Sequence, residues 1–341
     1  MATSEKTTEK TSNANEIYLS SSPHFKKGFS TADIMICVII SLLPICINGI
    51  VVFGIPALLT ILISTVSCVA FELLFQLATH QKIRIMDCSA IVTGLLLALV
   101  LPPTTPIWMT ILGAAFAIIV AKAFFGGIGS NVFNPALAGR AFMFVSFPAA
   151  LGSKWLLPHM KISMPDAISN ATTLSAVKSG DFFANGDTYT QFFLGNRAGC
   201  IGETSILWIV VAFIFLMIMR IIDGKATISM VAVVAICSAI AGDDVLLMLM
   251  SGGVLFGAVF MVTDYATAPV TGWGRVIFGA GCGLITFLIR KFGGYPEGVM
   301  FSILIMNALT PFLNKITGRK YGYAKKIGAK KAKKDKKEAA K

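Results

Sequence analysis

"FGGIGSNVFNPALAGRAF" occupies residues 125–142, and "FGGYPEGVMFSILIMNAL" (292–309) aligns with it at Phe, Gly, Gly, Val and Ala with one constant offset. Just upstream, "ILGAAFAII" (111–119) resembles "IFGAGCGLI" (277–285) at nearly the same offset. Low-identity internal similarity of this kind marks a duplicated architecture. The first copy crowds glycine, serine and asparagine ahead of Pro135, and it carries Asn131, Asn134 and Arg140 in a segment that otherwise reads as a membrane span. Irregular backbone at membrane depth survives only where protein or a cavity satisfies it. An arginine within a span needs a partner or an anionic ligand. A broken helix is therefore expected across Gly126–Pro135. The stretch "TDYATAPVTGWGR" (263–275), with Asp264 and Pro269 directly after an apolar run, is either a second break or an ordinary turn.

The rest of the chain has the composition this reading demands. Of 341 residues, 55% are hydrophobic and 13% charged, too apolar for a soluble domain of that length. A bilayer core of ~30 Å takes roughly 20 apolar residues per helix, fewer where the helix is broken. That ruler places spans near 32–50, 54–78, 88–102, 106–124, 131–150, 204–222, 226–241, 245–262, 275–291 and 298–314. The two copies lie five spans apart, so their orientations in the membrane are opposite. The expected fold is an all-α integral membrane protein of about ten transmembrane helices, arranged as two inverted five-helix repeats with broken helices, an architecture typical of transporters.

Charge placement sets the expected orientation. Lys26, Lys27, Lys82, Arg84, Lys122, Arg220, Lys225 and Arg275 fall on one side of the spans, and the excess of Lys and Arg marks that side as cytosolic. Arg290 and Lys291 break the pattern. The net charge of +12 is mostly local, since residues 319–341 hold eleven Lys or Arg against Asp335 and Glu338. A polybasic tail beside a last span reads as a topology determinant and a contact for anionic membrane lipids, not as a nucleic-acid site. Residues 1–30 are a cytosolic polar tail without the apolar core of a secretory signal. Residues 31–150 form the first membrane repeat, 151–203 an extracytoplasmic loop, 204–314 the second repeat and 315–341 the cytosolic polybasic tail. The setting is a membrane crossed many times, with both termini on the cytosolic side.

Several chemistries find no support. The seven cysteines (Cys37, Cys46, Cys68, Cys88, Cys200, Cys237, Cys282) are scattered without a C-x-x-C pair, and His24, His80 and His159 are isolated. No metal or haem site supplied by this chain alone is expected, and the cysteines read as apolar fillers. Nothing resembles a Walker loop, a dinucleotide-binding G-x-G-x-x-G or a Ser/His/Asp set, so the chain does not read as an ATP-driven pump. No catalytic residues are expected in this chain. Glu72, in "CVAFELLFQL", is the one acidic residue that reads as intramembrane, with Arg84 or a neighbouring subunit's cation as its partner. Asp87, Asp243, Asp244, Asp264 and Glu297 sit at helix ends, where charges are usually solvated.

Within the 151–203 loop lies "DAISNATTLS" (166–175), small and rich in hydroxyls. It reads as a turn, as an N-glycosylation acceptor (Asn170-Ala171-Thr172) or as a place where the hydroxyl of Thr172 carries a group.

The segment "DAISNAT" fits Asp-x-x-Ser/Thr-x-Ala-Thr, the pattern read by the flavin transferase that joins FMN through its phosphate to a threonine hydroxyl. Together with "GGIGSNVFNPALAGRAF" and "TDYATAPVTGWGR", it makes the chain resemble the NqrB/RnfD family of membrane redox subunits, over about residues 25–315. The RnfD branch is the nearer, because NqrB usually carries a longer amino-terminal extension. Asn170 stands where that family commonly has glycine. The resemblance implies covalent FMN on Thr172, with Asp166, Ser169 and Ala171 as the rest of the recognition motif. It implies a multi-subunit machine, the Rnf complex, that moves electrons between ferredoxin and NAD and couples them to export of Na⁺ or H⁺. In it, this subunit would take electrons from a neighbouring RnfG-type subunit with its own covalent flavin and pass them inward. A non-covalent riboflavin between the helices is also implied, and Asn131, Asn134, Arg140 and Asp264 are the candidates for binding it. Such a subunit is an electron relay within an oxidoreductase that acts as a translocase.

A small-solute channel or secondary transporter uses inverted repeats equally well, because fold does not fix function. A membrane scaffold is a third reading. Thr172 separates these readings from the redox one, since a channel has no reason to keep a flavinylation motif.

Overall fold

The computed structural model describes residues 30–152, 155–158, 168–169, 174, 177–178, 186–295 and 297–318. Four helices are long and apolar enough to cross a bilayer: α1 (Thr31–Phe53), α2 (Ile55–Ala78), α12 (Gly272–Phe292) and α13 (Val299–Thr317). Shorter apolar helices lie between them. These are α3 (Ser89–Leu99), α4 (Ile107–Ala115) with its continuation, α8 (Ile206–Ile218) and α9 (Gly224–Ile240), and a further short helix, α5 (Pro135–Ser146), carries Arg140. The connecting region 147–205 adds the short helices α6 (Pro148–Gly152) and α7 (Gly186–Leu194). It also holds a two-stranded antiparallel ribbon, β1 (Trp155–Leu156) with β2 (Ile168–Ser169). The chain is a multi-pass helical membrane protein.

Helix α1 shows how these sequences sort their faces. Ser30 caps its start in a capping box with Asp33. Ile36, Ile40, Leu43, Ile47 and Val51 recur at helical spacing and are exposed, while Ser41, Leu42, Ile45, Gly49 and Val52 are buried. A continuous apolar stripe pointing outward is stable in lipid or against another membrane chain, and unstable in water. The inward face carries the small residues that let helices approach. Gly49 sits against Ile201, and Gly94 of α3 packs on the backbone of Thr65 in α2, where the Ser64 hydroxyl donates to the Gly94 carbonyl at 2.8 Å.

Where the structure departs from the expected spans, the departures are local. The span expected at 88–102 is helical only to Leu99, because Pro102, Pro103 and Pro106 follow within one turn or two and cannot donate. Helix α4 continues as a π-helical stretch over Phe116–Ala123. The span expected at 245–262 is interrupted. Helix α10 (Val245–Met250) ends at Ser251, and Gly252 adopts φ +64°. The chain then resumes as α11 (Val254–Phe256), which runs into a second π-helical stretch, Gly257–Met261. The break thus falls at Ser251–Gly253, ahead of the position at which the sequence suggests one. π-Helical turns free backbone groups and often accompany sites.

One insertion organises the centre. The segment ending at Glu203 tucks between helices, with the Ile201 N–H donating to the Leu101 carbonyl at 3.2 Å and Gly202 pressed on Leu99 and Phe256. Phe53, Leu97, Leu99, Leu101, Ile201 and Phe256 form the fully buried middle of the core.

Candidate functional site

Three of the residues suggested by the sequence meet in one cavity. After α4, the chain turns through Gly126, Gly127 and Gly129, whose φ values of +104°, +91° and +88° suit glycine. Asn131 closes this turn, accepting from the Gly129 N–H at 3.2 Å and donating to the Phe133 carbonyl at 3.0 Å. Asn134 caps α5, its side-chain oxygen accepting from the N–H groups of Ala136 (3.1 Å) and Leu137 (3.3 Å), with Pro135 in the first helical turn, where no N–H is needed. The Asn134 amide then reaches across to the other half of the chain and donates to Asp264 Oδ2 at 3.4 Å. Asp264 also accepts from the Thr267 hydroxyl (2.9 Å) and the Ala266 N–H (3.3 Å).

Beside them, Lys122 donates to both carboxylate oxygens of Glu72 (3.0 and 2.8 Å) and to the Ser89 hydroxyl (2.6 Å). Ser89, Lys122, Asn131, Asn134 and Asp264 all line a cavity of about 50 Å³. That room suits water-sized species, which need a polar lining of this kind.

Glu72 therefore has a partner, Lys122, that the sequence does not reveal. Arg84 makes no ion pair with Glu72 among the described residues; its backbone N–H donates to the Gln76 side chain at 2.9 Å.

Arg140 belongs elsewhere. It enters a second cluster with two glutamates: Nη2 donates to Glu297 Oε2 at 3.2 Å, and Nη1 lies 3.8 Å from Glu203 Oε1, an ion pair without a hydrogen bond. Cys200 Sγ is 3.5 Å from Nη2. Glu297 also accepts from the Gly253 N–H, and Arg197 donates to the carbonyls of Glu203 and Met250 while lying over the Phe192 ring. Arg290 donates to the Met248 (2.6 Å) and Ser251 (3.1 Å) carbonyls, which ties α12 to the break after α10. Three arginines face two carboxylates here, and all but Glu297 and Arg140 are less than a tenth exposed. Sequence position alone does not separate Glu203, Glu297 and Arg197 from solvated charges. The signal available is the place of Glu297 inside the second copy of the repeat.

The motif expected to take a flavin falls largely outside the described residues, namely Asp166, Asn170, Ala171 and Thr172. Ser169 is described through its backbone, which pairs with Trp155 in the β ribbon. On the other flank Leu174 is buried and touches the region of Gly252. The cysteines among the described residues are all free, and Cys46, Cys68, Cys200 and Cys282 are buried.

Comparison with known proteins agrees with this architecture over almost its whole length. The model of the NQR2, RnfD, RnfE family matches residues 18–322. The chain is 42% identical to the D component of the Na(+)-translocating ferredoxin:NAD(+) oxidoreductase complex of Acetobacterium woodii, over 91% of this chain and 98% of that one. It is 39% identical to the D component of the proton-translocating ferredoxin:NAD(+) oxidoreductase complex of Clostridium ljungdahlii (89% and 95%). It is 35% identical to the D component of an ion-translocating oxidoreductase complex of Stutzerimonas stutzeri (86% and 92%). Near-complete coverage in both directions leaves one conclusion: the chain belongs to the NQR2, RnfD, RnfE family, among its RnfD-type members.

Proposed function

We propose that the chain is the membrane electron-transfer subunit of an ion-translocating ferredoxin:NAD oxidoreductase, and that it carries FMN as a phosphodiester on Thr172. The observation that carries the reading is Asp166-x-x-Ser169-x-Ala171-Thr172 in a chain that belongs to this family. Support for the fit comes from the flanks, since Ser169 is held in a β ribbon on one side and Leu174 is buried on the other. Thr172 would hold the group through its hydroxyl, and Asp166, Ser169 and Ala171 would present that hydroxyl to a flavin transferase. When bound, the isoalloxazine ring supplies one- and two-electron chemistry that no side chain here offers. The remaining membrane subunits of the complex, among them an RnfG-type flavin subunit, are the partners, and the outward apolar faces of α1 and α2 give them and the lipid a surface.

The same reading takes the helices as ten spans in two inverted repeats, with both termini cytosolic and residues 151–203 outside. Equivalent contacts in the two halves support it. The second helix of each half donates a hydroxyl to a carbonyl of the third segment: Ser64 to Gly94 at 2.8 Å, and Thr227 to Ala258 at 2.8 Å. Similarly, Gly113 of α4 packs on Met143 of α5, as Gly281 of α12 packs on Met306 of α13.

Ultraviolet fluorescence of the denatured band, after co-expression with a flavin transferase, tests the attachment. A bright band that goes dark with Thr172→Val is expected, and mass spectrometry of the 162–178 peptide should show the added FMN. A dark wild-type band, or one equally bright after Thr172→Val, would overturn the reading and leave a solute pathway as the better account.

A further inference from the structure

The loop between α2 and α3 reads "THQKIRIMDC" over residues 79–88. Ile83 is 59% exposed and Met86 88%, and the cations Lys82 and Arg84 stand in the open on either side of Ile83. Among the described residues neither cation has an ion-pair partner. The nearest acid along the chain, Asp87, is turned inward, where Oδ1 accepts from the Ser89 N–H at 2.9 Å and the Ser89 hydroxyl at 2.8 Å. The tip therefore presents two uncompensated positive charges around two aliphatic side chains that the chain itself leaves uncovered.

The backbone holds this tip in one shape. His80 and Cys88, near its two ends, adopt φ values of 52° and 59°, a left-handed conformation that is costly for residues with a Cβ. Both ends are also tied to one buried ion pair. On one side the Arg84 N–H donates to Gln76 Oε1 at 2.9 Å, and Gln76 Nε2 donates to Glu72 Oε1 at 3.5 Å. On the other, Lys122, the partner of Glu72, donates at 2.6 Å to the Ser89 hydroxyl, which in turn donates to Asp87. The turn Ile85–Asp87 packs against α1. A chain of hydrogen bonds thus runs beneath the loop from end to end, and two of its members, Ser89 and Lys122, line the cavity shared with Asn131, Asn134 and Asp264. Fluid lipid asks for no fixed surface, and a headgroup contact favours Trp or Tyr, which the loop lacks. A rigid patch of Ile, Met and Arg suits a protein surface of fixed shape.

We infer that the tip of the 79–88 loop is the dock for an acidic protein surface with an apolar centre, contributed by a water-soluble subunit of the same complex. Ile83 and Met86 fill that centre, and Lys82 and Arg84 meet carboxylates around it. The inference rests on the proposed complex and orientation, which set this loop, together with the start of α1, on the cytosolic side. Ferredoxin and NAD are soluble, so a complex that uses them must present a water-exposed part there. Docked on the tip, that part is one chain of hydrogen bonds away from the buried cavity.

The test uses the whole complex in its native membrane, with Met86→p-benzoylphenylalanine as a photoreactive probe. Illumination should link position 86 to a soluble subunit, through a peptide rich in Asp and Glu. Adding Lys82→Glu/Arg84→Glu should cut the yield of that adduct roughly tenfold at physiological salt. All three side chains are exposed, so the variants should melt with the wild type in detergent. An adduct with lipid or with a membrane-embedded subunit, or no adduct at all, overturns the dock, and so does a soluble-subunit adduct whose yield ignores the charge reversal. Two controls separate this failure from others. A chain that purifies without soluble companions defeats the proposed complex instead. Membrane-impermeant maleimide that reaches Met86→Cys only from the outer face defeats the proposed orientation.

Discussion

Lys122 Nζ lies 2.8 Å from Glu72 Oε2, and the two side chains are only 4% and 10% exposed. The pair joins α2 to the π-helical end of α4, and the Ser89 hydroxyl completes it from the start of α3. Desolvating two charges is costly, and the contact offsets this only while both remain. Glu72→Gln should therefore destabilise the protein by about 3–5 kcal/mol by stranding a buried ammonium. The double variant Glu72→Leu/Lys122→Met should recover most of that loss. Thermal denaturation of the purified protein in detergent checks both, and equal losses in the single and double variants would contradict the role given to the pair.

Two of the glycines that set helix spacing press directly on backbone. A Cβ on Gly94 would lie 2.6 Å from Thr65 Cα, and one on Gly283 would lie 2.6 Å from the Met230 carbonyl oxygen. Backbone cannot step aside as a side chain can, so Gly94→Ala and Gly283→Ala should each cost about 1–3 kcal/mol through overpacking. Gly199→Ala, where a Cβ meets nothing within 4 Å, is the matched control and should melt with the wild type.

Asn134 makes two kinds of contact, a cap to α5 and a bond to Asp264 across the cavity. Asn134→Ala should lose about 1 kcal/mol with the cap. Asn134→Asp keeps a good capping group but sets a carboxylate against Asp264, and so should be less stable than Asn134→Ala. The opposite ranking in a melting series would mean that the Asp264 contact carries no weight.

Asp223 begins α9, outside the spans, and pairs with Arg275 at 3.1 Å and Lys225 at 3.3 Å. Partial burial pushes its carboxyl up, but hydrogen bonds and charge from Lys225, then Arg275, outweigh this and hold it below the ordinary carboxylate value. A depressed value means that the carboxylate stabilises the fold above the unfolded-state pKa, and that this contribution is lost as pH falls through the folded-state value. Melting temperature should thus drop more steeply on acidification towards pH ~3 in the wild type than in Asp223→Asn. Parallel profiles would remove Asp223 from the balance.

Much of this can be read along the chain because it is governed by local composition. The spans follow from runs of Leu, Ile, Val and Phe measured against a fixed bilayer thickness. The start of α5 follows from Asn134-Pro135 and the glycines before it, whose conformational freedom is a property of each residue alone. The motif proposed to take the flavin is a run of seven residues and needs no neighbour to be recognised. Pairings across the fold have no such signature. Glu72 and Lys122 are 50 positions apart, Asn134 and Asp264 130, and Arg140 and Glu297 157. Only packing of one helix against another decides which buried charge meets which, because a charge withdrawn from water takes whatever partner the fold brings within reach. The break at Ser251–Gly253 is decided in the same way. There, the carbonyls of Met248, Met250 and Ser251 are taken up by Arg290 and Arg197, side chains from distant segments that make an interrupted helix tolerable inside the membrane.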